Sequence, residues 1–83
     1  MATSKVTIYR NQVPARGLRV SLEYTGLFQS GFTSNYYTND DGEAYIEHAS
    51  TGKATVFING NAKGTMKTPG SEVYYLRIRK YPA

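Results

Sequence analysis

The single histidine of the chain, His48, directly follows Glu47, and a neighbouring acid and base of this kind can exchange protons with a substrate. The chain contains no cysteine, which excludes a thiol nucleophile, a disulfide framework and a zinc site of cysteines and histidines. Adjacent residues of a β-strand point to opposite faces, so Glu47 and His48 could not meet in one site on a strand. We therefore predict no catalytic residue and no cofactor, and we expect His48 to be a partly buried strand residue.

A second set of polar residues, Asp40, Asp41 and Glu43, places three carboxylates within four positions. Calcium is bound by oxygen atoms of this type, but it takes about six to eight of them. Asn39 and Gly42 belong to the same segment, and both residue types favour tight turns. We therefore predict a tight turn between antiparallel strands at residues 39–42 and no metal site.

An aromatic residue lies beside basic residues near the end of the chain, where Tyr75, Arg77 and Arg79 alternate. On an exposed sheet face this combination can stack on bases and attract phosphates, as in proteins that bind single-stranded nucleic acid. The alternative is a solvated strand whose arginine stems cover apolar surface.

Large apolar side chains are concentrated in a segment that otherwise has the composition of a loop, and they include Phe28, Phe32, Tyr36 and Tyr37. Some of them could close the open end of a small core. Exposed apolar groups on loops also mark interfaces, so we predict a binding patch formed by these four residues.

The elements that must position these residues are strands. Val, Ile, Thr, Tyr and Phe make up more than a third of the chain, and they fit a pleated, half-buried surface. Apolar and polar residues alternate most clearly at 18–24, where Leu18, Val20, Leu22 and Tyr24 share one face. Similar runs lie at residues 5–9, 33–38, 43–48, 53–58, 62–68 and 72–80.

Seven short runs separated by turns predict an all-β fold, a seven-stranded antiparallel β-sandwich. Asn59 and Gly60 predict a two-residue hairpin turn, because both tolerate a positive φ. The run that follows, 62–68, is polar and predicts an edge strand protected by lysines. We expect one domain over residues 1–83, with its core at about residues 5–80.

The length and the net charge of the chain restrict its possible partners only broadly. The chain has 83 residues and a net charge of +4, which permits contact with nucleic acid without requiring it. No apolar run approaches the roughly 18 residues of a membrane-spanning helix. The sequence leaves the cellular location and the oligomeric state open.

Three segments, residues 17–22, 38–46 and 52–60, resemble the carboxypeptidase regulatory-like domains. The resemblance covers about residues 5–78 and implies a transthyretin-like sandwich, also called prealbumin-like, with an immunoglobulin-like Greek-key topology. Such domains are usually non-catalytic and provide stability, spacing or an interaction surface. The hydrolase branch of the transthyretin-like fold has two site histidines and a characteristic C-terminus, and the lone His48 and residues 79–83 do not match it.

We therefore expect a non-enzymatic structural or interaction module with a protein partner. Binding of single-stranded nucleic acid is one alternative, and carbohydrate binding through exposed tyrosines is another.

Overall fold

Alternating side chains build two β-sheets that pack face to face. The structure, a computed structural model, describes residues 1–26 and 30–76, and this part of the chain contains strands and no helix, hence no helix that could span a membrane. The strands are β1 (Ala2–Arg10), β2 (Val13–Pro14), β3 (Arg19–Thr25), β4 (Ser30–Phe32), β5 (Tyr36–Tyr37), β6 (Glu43–His48), β7 (Gly52–Ile58), β8 (Asn61–Thr68) and β9 (Ser71–Leu76).

The first sheet is organised around β1. Strand β6 pairs antiparallel with β1 along one edge, with Val6 opposite Ala44, and β2 continues this edge beside the end of β1. Strand β9 pairs with the other edge of β1 and runs parallel to it, with Tyr9 opposite Tyr75. The expectation of a purely antiparallel fold is therefore wrong for this sheet. Alternation of side chains specifies the face of a strand and not its direction, so the sequence pattern could not reveal it.

The second sheet is antiparallel and is organised around β3. Strand β7 pairs with one edge of β3 and with β8, which makes β8 an edge strand among the described residues, as predicted. The other edge of β3 is occupied by β4 and then β5. The run predicted at 33–38 is thus interrupted. At the break the Thr33 hydroxyl accepts a hydrogen bond from the Leu22 backbone N–H at 3.0 Å, which replaces part of the regular ladder.

The core lies between the two sheets, and the predicted alternation is confirmed there. Strands β3, β6 and β7 bury every second side chain, and their intervening residues are mostly exposed or partly buried. Each fully buried aliphatic side chain contributes about 1.5 to 3 kcal/mol relative to an exposed one. The buried apolar residues are Val6, Ile8, Ala15, Leu18, Val20, Leu22, Tyr24, Ala44, Ile46, Ala54, Val56, Ile58 and Met66.

Two predicted turns are present. Asn59 and Gly60 both have positive φ and connect β7 to β8, as expected for a tight hairpin. In the other turn, the Asn39 side chain accepts hydrogen bonds from the backbone N–H groups of Asp41 and Glu43. This second turn joins β5 of one sheet to β6 of the other, so it does not connect two paired strands.

Gly42 ends the turn at 39–42 in a position that leaves no room for a side chain. Its φ is +76°, and a Cβ placed there would lie 2.5 Å from the carbonyl oxygen of Ile8 and 3.0 Å from the backbone nitrogen of Ala15. The Gly42 carbonyl also accepts a hydrogen bond from the Ile8 N–H at 2.8 Å. The turn is therefore pressed against the central strand of the first sheet.

We predict that Gly42→Ala destabilises the fold more than the matched change Gly17→Ala. Gly17 has nearly the same φ, +77°, but nothing lies within 4 Å of its Cβ position. Gly17→Ala should lower the free energy of unfolding by roughly 1 to 2 kcal/mol, the penalty of a left-handed backbone. Gly42→Ala should cost about 2 kcal/mol more because the backbone must move. Urea unfolding of both variants measures the difference, and equal losses would contradict the close packing of this turn.

Candidate functional site

A buried polar network joins the two sheets at one end of the sandwich. Ser4 and His48 belong to the first sheet, and Tyr24 and Thr68 belong to the second. The Ser4 Oγ lies 2.8 Å from His48 Nε2, and the Tyr24 hydroxyl lies 3.3 Å from His48 Nδ1 and 2.7 Å from Thr68 Oγ1. All four residues are buried. His48 is a strand residue, as predicted, but it is almost completely buried rather than partly buried.

The hydrogen atoms of this network can be assigned from its backbone partners. The Ser50 carbonyl only accepts, so His48 Nδ1 donates to it, over 2.6 Å, and Nε2 is left to accept from the Ser4 hydroxyl. Thr68 donates to the Gly52 carbonyl at 2.8 Å, so Tyr24 donates to Thr68. The Tyr24 oxygen is then a second acceptor, at 3.3 Å, for the His48 Nδ1–H. Every hydroxyl and ring nitrogen of the network therefore has a partner.

The Ser4–His48 pair has the separation of a nucleophile and its general base. It is not placed for that chemistry, however, because Ser4 is only 1% exposed and His48 only 3%. A cavity of about 200 Å³ at this end of the sandwich is lined by His48, Tyr24 and Phe32 among others, but Ser4 is not part of the lining in the described residues. Glu47, the neighbour considered in the sequence, is exposed on the opposite face of β6, as predicted.

The outer face of the first sheet carries an exposed aromatic cluster, which we name the tyrosine face and define as Tyr9, Tyr45, Val73 and Tyr75. The rings of Tyr9 and Tyr75 stack with centroids 5.5 Å apart and planes 14° from parallel. Tyr75 is 74% exposed, and Tyr45 and Val73 are also exposed. Three residues of the last strand were predicted to bind nucleic acid. Of these, Tyr75 is on the surface, whereas Arg77 and Arg79 lie outside the described residues.

Charges on the tyrosine face are few and partly paired. The Lys5 Nζ lies 3.5 Å from a Glu43 carboxylate oxygen, and the other oxygen accepts a hydrogen bond from the Tyr45 hydroxyl at 2.8 Å. This hydrogen bond, together with slight desolvation and nearby negative charge, raises the pKa of Tyr45 above its ordinary value. Tyr45 therefore stays neutral at physiological pH.

The outer face of the second sheet has a different composition, and we name it the basic face. It carries Arg19, Lys53 and Lys67, together with the rings of Phe32, Tyr37 and Phe57. Phe32 is 61% exposed and meets Phe57 edge to face, with centroids 5.3 Å apart.

The four residues of the predicted loop patch have separate locations. Phe32 and Tyr37 lie exposed on the basic face, whereas Tyr36 packs partly buried against the core. Phe28 lies outside the described residues. Tyr36 pairs with Val20 and Tyr37 with Arg19, so the two tyrosines point to opposite faces of the sheet.

Sequence reasoning missed several residues that the fold brings together. Ser4 and Thr68 were not singled out, because a serine and a threonine 64 positions apart give no local signal of a shared partner. Phe57 and Lys53 did have a signal, since both occupy the outer face of a predicted strand. The proximity of Phe57 to Phe32 depends on strand order, which the alternation does not specify. Lys53 and Lys67 belong to one predicted hairpin, and a register shift between Val56 and Phe57 places them opposite each other.

The predicted turn also accounts for the acidic cluster. Asp40 lies 3.2 Å from Arg16 in an exposed ion pair, and the backbone of Asp41 and Glu43 is held by Asn39. Among residues 1–26 and 30–76, no group of three or more acidic or histidine side chains is close enough to hold a metal ion.

We predict opposite effects for one chemical change at two tyrosines. The Tyr24 hydroxyl is paired in the buried network, so Tyr24→Phe should lower the free energy of unfolding by about 1 to 3 kcal/mol. The Tyr74 hydroxyl is buried and forms no hydrogen bond with a described residue, and burial and the nearby Glu72 raise the pKa of Tyr74. Tyr74→Phe should therefore raise the free energy of unfolding by about 1 kcal/mol. Chemical unfolding compares the two, and a loss of stability in both variants would contradict the assignment.

No family model and no curated protein matches the chain. Its function is therefore inferred from its own surfaces.

Proposed function

We propose that the chain is a non-catalytic structural or protein-interaction module that contacts its partner through the tyrosine face. The observation that carries this proposal is the exposed Tyr75, stacked on the half-buried Tyr9, beside the exposed Val73. Centres of protein interfaces are enriched in aromatic residues and poor in charged ones. The tyrosine face has this composition, and the nearby Lys5 on β1 is already paired with Glu43.

The stacked tyrosines are also arranged before any partner binds. A side chain that is fixed in advance loses less conformational entropy on association, and tyrosine has few rotatable bonds to begin with. Tyr75 is held by its contact with Tyr9 across the parallel strands β1 and β9. A partner would therefore meet a surface that needs little rearrangement.

The edge of the sheet offers a second means of contact. Among the described residues β9 has a strand neighbour on one side only, which is β1. A strand at a sheet edge presents unpaired backbone groups that can accept a strand from another chain. Val73 and Tyr75 belong to this same edge strand, so the apolar contact and the backbone contact would be continuous.

The absence of catalysis is part of the proposal. The Ser4–His48 pair has suitable chemistry, but its burial and its complete hydrogen bonding argue that it is a structural link. Releasing either residue to react would leave a buried polar group unpaired, which costs about 1 to 3 kcal/mol.

We also propose the finer fold assignment, a transthyretin-like Greek-key sandwich. The chain passes from one sheet to the other between β2 and β3, β5 and β6, β6 and β7, and β8 and β9. Repeated crossing of this kind is typical of Greek-key sandwiches. If β4 and β5 are counted as one interrupted strand and β2 as an extension, seven strands remain, which agrees with the number expected from the resemblance.

We predict that Val73→Glu weakens partner binding at least tenfold and that Val13→Glu does not. Both valines are exposed and both variants change the net charge equally, but only Val73 lies on the tyrosine face. A protein captured from extract by the immobilised wild-type chain would be purified, and its affinity for the three chains would be measured by calorimetry. A charge in the centre of the contact should weaken binding at least tenfold, which corresponds to about 1.4 kcal/mol.

The unfolding midpoint of each variant serves as a control for folding. Equal affinities of the two variants, or no protein retained by the wild-type chain in preference to Val73→Glu, would contradict the proposal.

A further inference from the structure

The basic face contains a pair of lysines that form no ion pair with any residue in the described part of the chain. Lys53 on β7 and Lys67 on β8 are directly opposed in the antiparallel register. The Cβ atoms of such pairs are about 4.5 to 5.5 Å apart, and like charges at this separation destabilise a sheet. Neither lysine forms an ion pair with a described residue, whereas Lys5 and Arg16 both do.

Protection of a sheet edge accounts for only one of these two lysines. Lys67 lies on the edge strand β8, where a positive charge discourages pairing with another chain. Lys53 lies on β7, which is covered by β3 on one side and by β8 on the other. Its position opposite Lys67 adds repulsion without guarding an edge. An anion bound between the two side chains would remove that repulsion.

Aromatic rings lie between this lysine pair and a third basic residue. Along the sheet, the row of Lys53 and Lys67 is followed by Phe32 with Glu23 opposite it, then by Phe57, and finally by Arg19 with Tyr37. At about 3.3 Å per residue, the six-residue length of this strip is roughly 20 Å. Positive charge therefore stands at both ends of the strip, and exposed ring surface stands in its middle.

The two outer faces of the sandwich differ in charge. Arg19, Lys53 and Lys67 against Glu23 give the basic face a net charge of +2. Among the described residues of the outer face of the first sheet, Lys5 against Glu43 and Glu47 gives a net charge of −1. Within residues 1–26 and 30–76, an anionic ligand would thus be attracted more strongly to the basic face.

We propose that the basic face binds single-stranded nucleic acid, with Lys53, Lys67 and Arg19 contacting phosphates and Phe32 stacking on a base. A single strand supplies alternating anionic and planar groups, which match both components of the strip. Exposed rings on a flat sheet are a common platform for unpaired bases. This site lies on the sheet opposite to Tyr75, so it differs from the site predicted on the last strand.

The proposal is tested by fluorescence anisotropy with labelled oligothymidylate and the full chain. Three phosphate contacts predict a slope of log affinity against log salt of about −2, which is a loss of roughly 20-fold between about 50 and 200 mM salt. Lys53→Ala and Lys67→Ala should each make the slope shallower by about 0.7. Phe32→Ala should weaken binding by about fivefold or more without changing the slope, because stacking does not release counterions.

Arg16→Ala is the matched control, since it removes the same charge from an exposed position away from the basic face. It should leave the slope unchanged. The unfolding midpoint of every variant is compared with the wild type as a control for folding. Lys53→Ala and Lys67→Ala should keep or raise it because they relieve repulsion, and Phe32→Ala should lower it slightly because the contact with Phe57 is lost.

Several results would overturn the proposal. These are absence of saturable binding at low salt, a response independent of salt, and an equal effect of Arg16→Ala. Loss of binding in Tyr75→Ala with full binding in Lys53→Ala would place the contact on the last strand instead. Polyglutamate binding as tightly as the oligonucleotide, with no effect of Phe32→Ala, would identify a general anion surface.

Discussion

The interior of this protein is a single space enclosed by the inward side chains of two sheets, and the rest of the structure depends on closing it. Val6, Ile8 and Ile46 fill it from one sheet, and Leu22 and Val56 fill it from the other. Because a strand alternates its side chains, every residue that is free to face outward is adjacent to one that is committed to the core. With no helix over either sheet in the described residues, the outer faces are where this chain can vary its chemistry.

The buried polar network solves a related problem at the end of the sandwich. Polar groups there must be shielded from water and still be hydrogen-bonded, since an unpaired one would cost more than it contributes. Ser4 and His48 therefore reach backbone groups at Gly70 and Ser50, and Tyr24 carries the chain of hydrogen bonds into the second sheet. The same residue types that suggest catalysis in a sequence here fix the relative position of two sheets.

Much of this architecture could be predicted from alternation and turn residues alone. The inward set Leu18, Val20 and Leu22 and the hairpin at Asn59 and Gly60 are encoded locally. The parallel direction of β9 is not, because it depends on which strands become neighbours after the chain crosses between sheets. The opposition of Lys53 and Lys67 lies within the predicted hairpin, but it depends on a register shift between Val56 and Phe57 that the alternation does not specify. Candidate surfaces were harder to predict than the core for the same reason. Tyr36 and Tyr37 are adjacent in sequence, and only pairing with β3 shows which of them remains exposed.

The two edge strands on opposite sheets differ in a way that separates the two proposed surfaces. Strand β8 carries exposed Lys63 and Lys67, and such charges hinder the addition of a strand from another chain. Strand β9 carries exposed Val73 and Tyr75 and has no lysine among its described residues. Backbone pairing with a protein partner is therefore disfavoured at β8 and open at β9. Lys67 also belongs to the basic face, so the same lysine would hinder the addition of a strand and attract an anion.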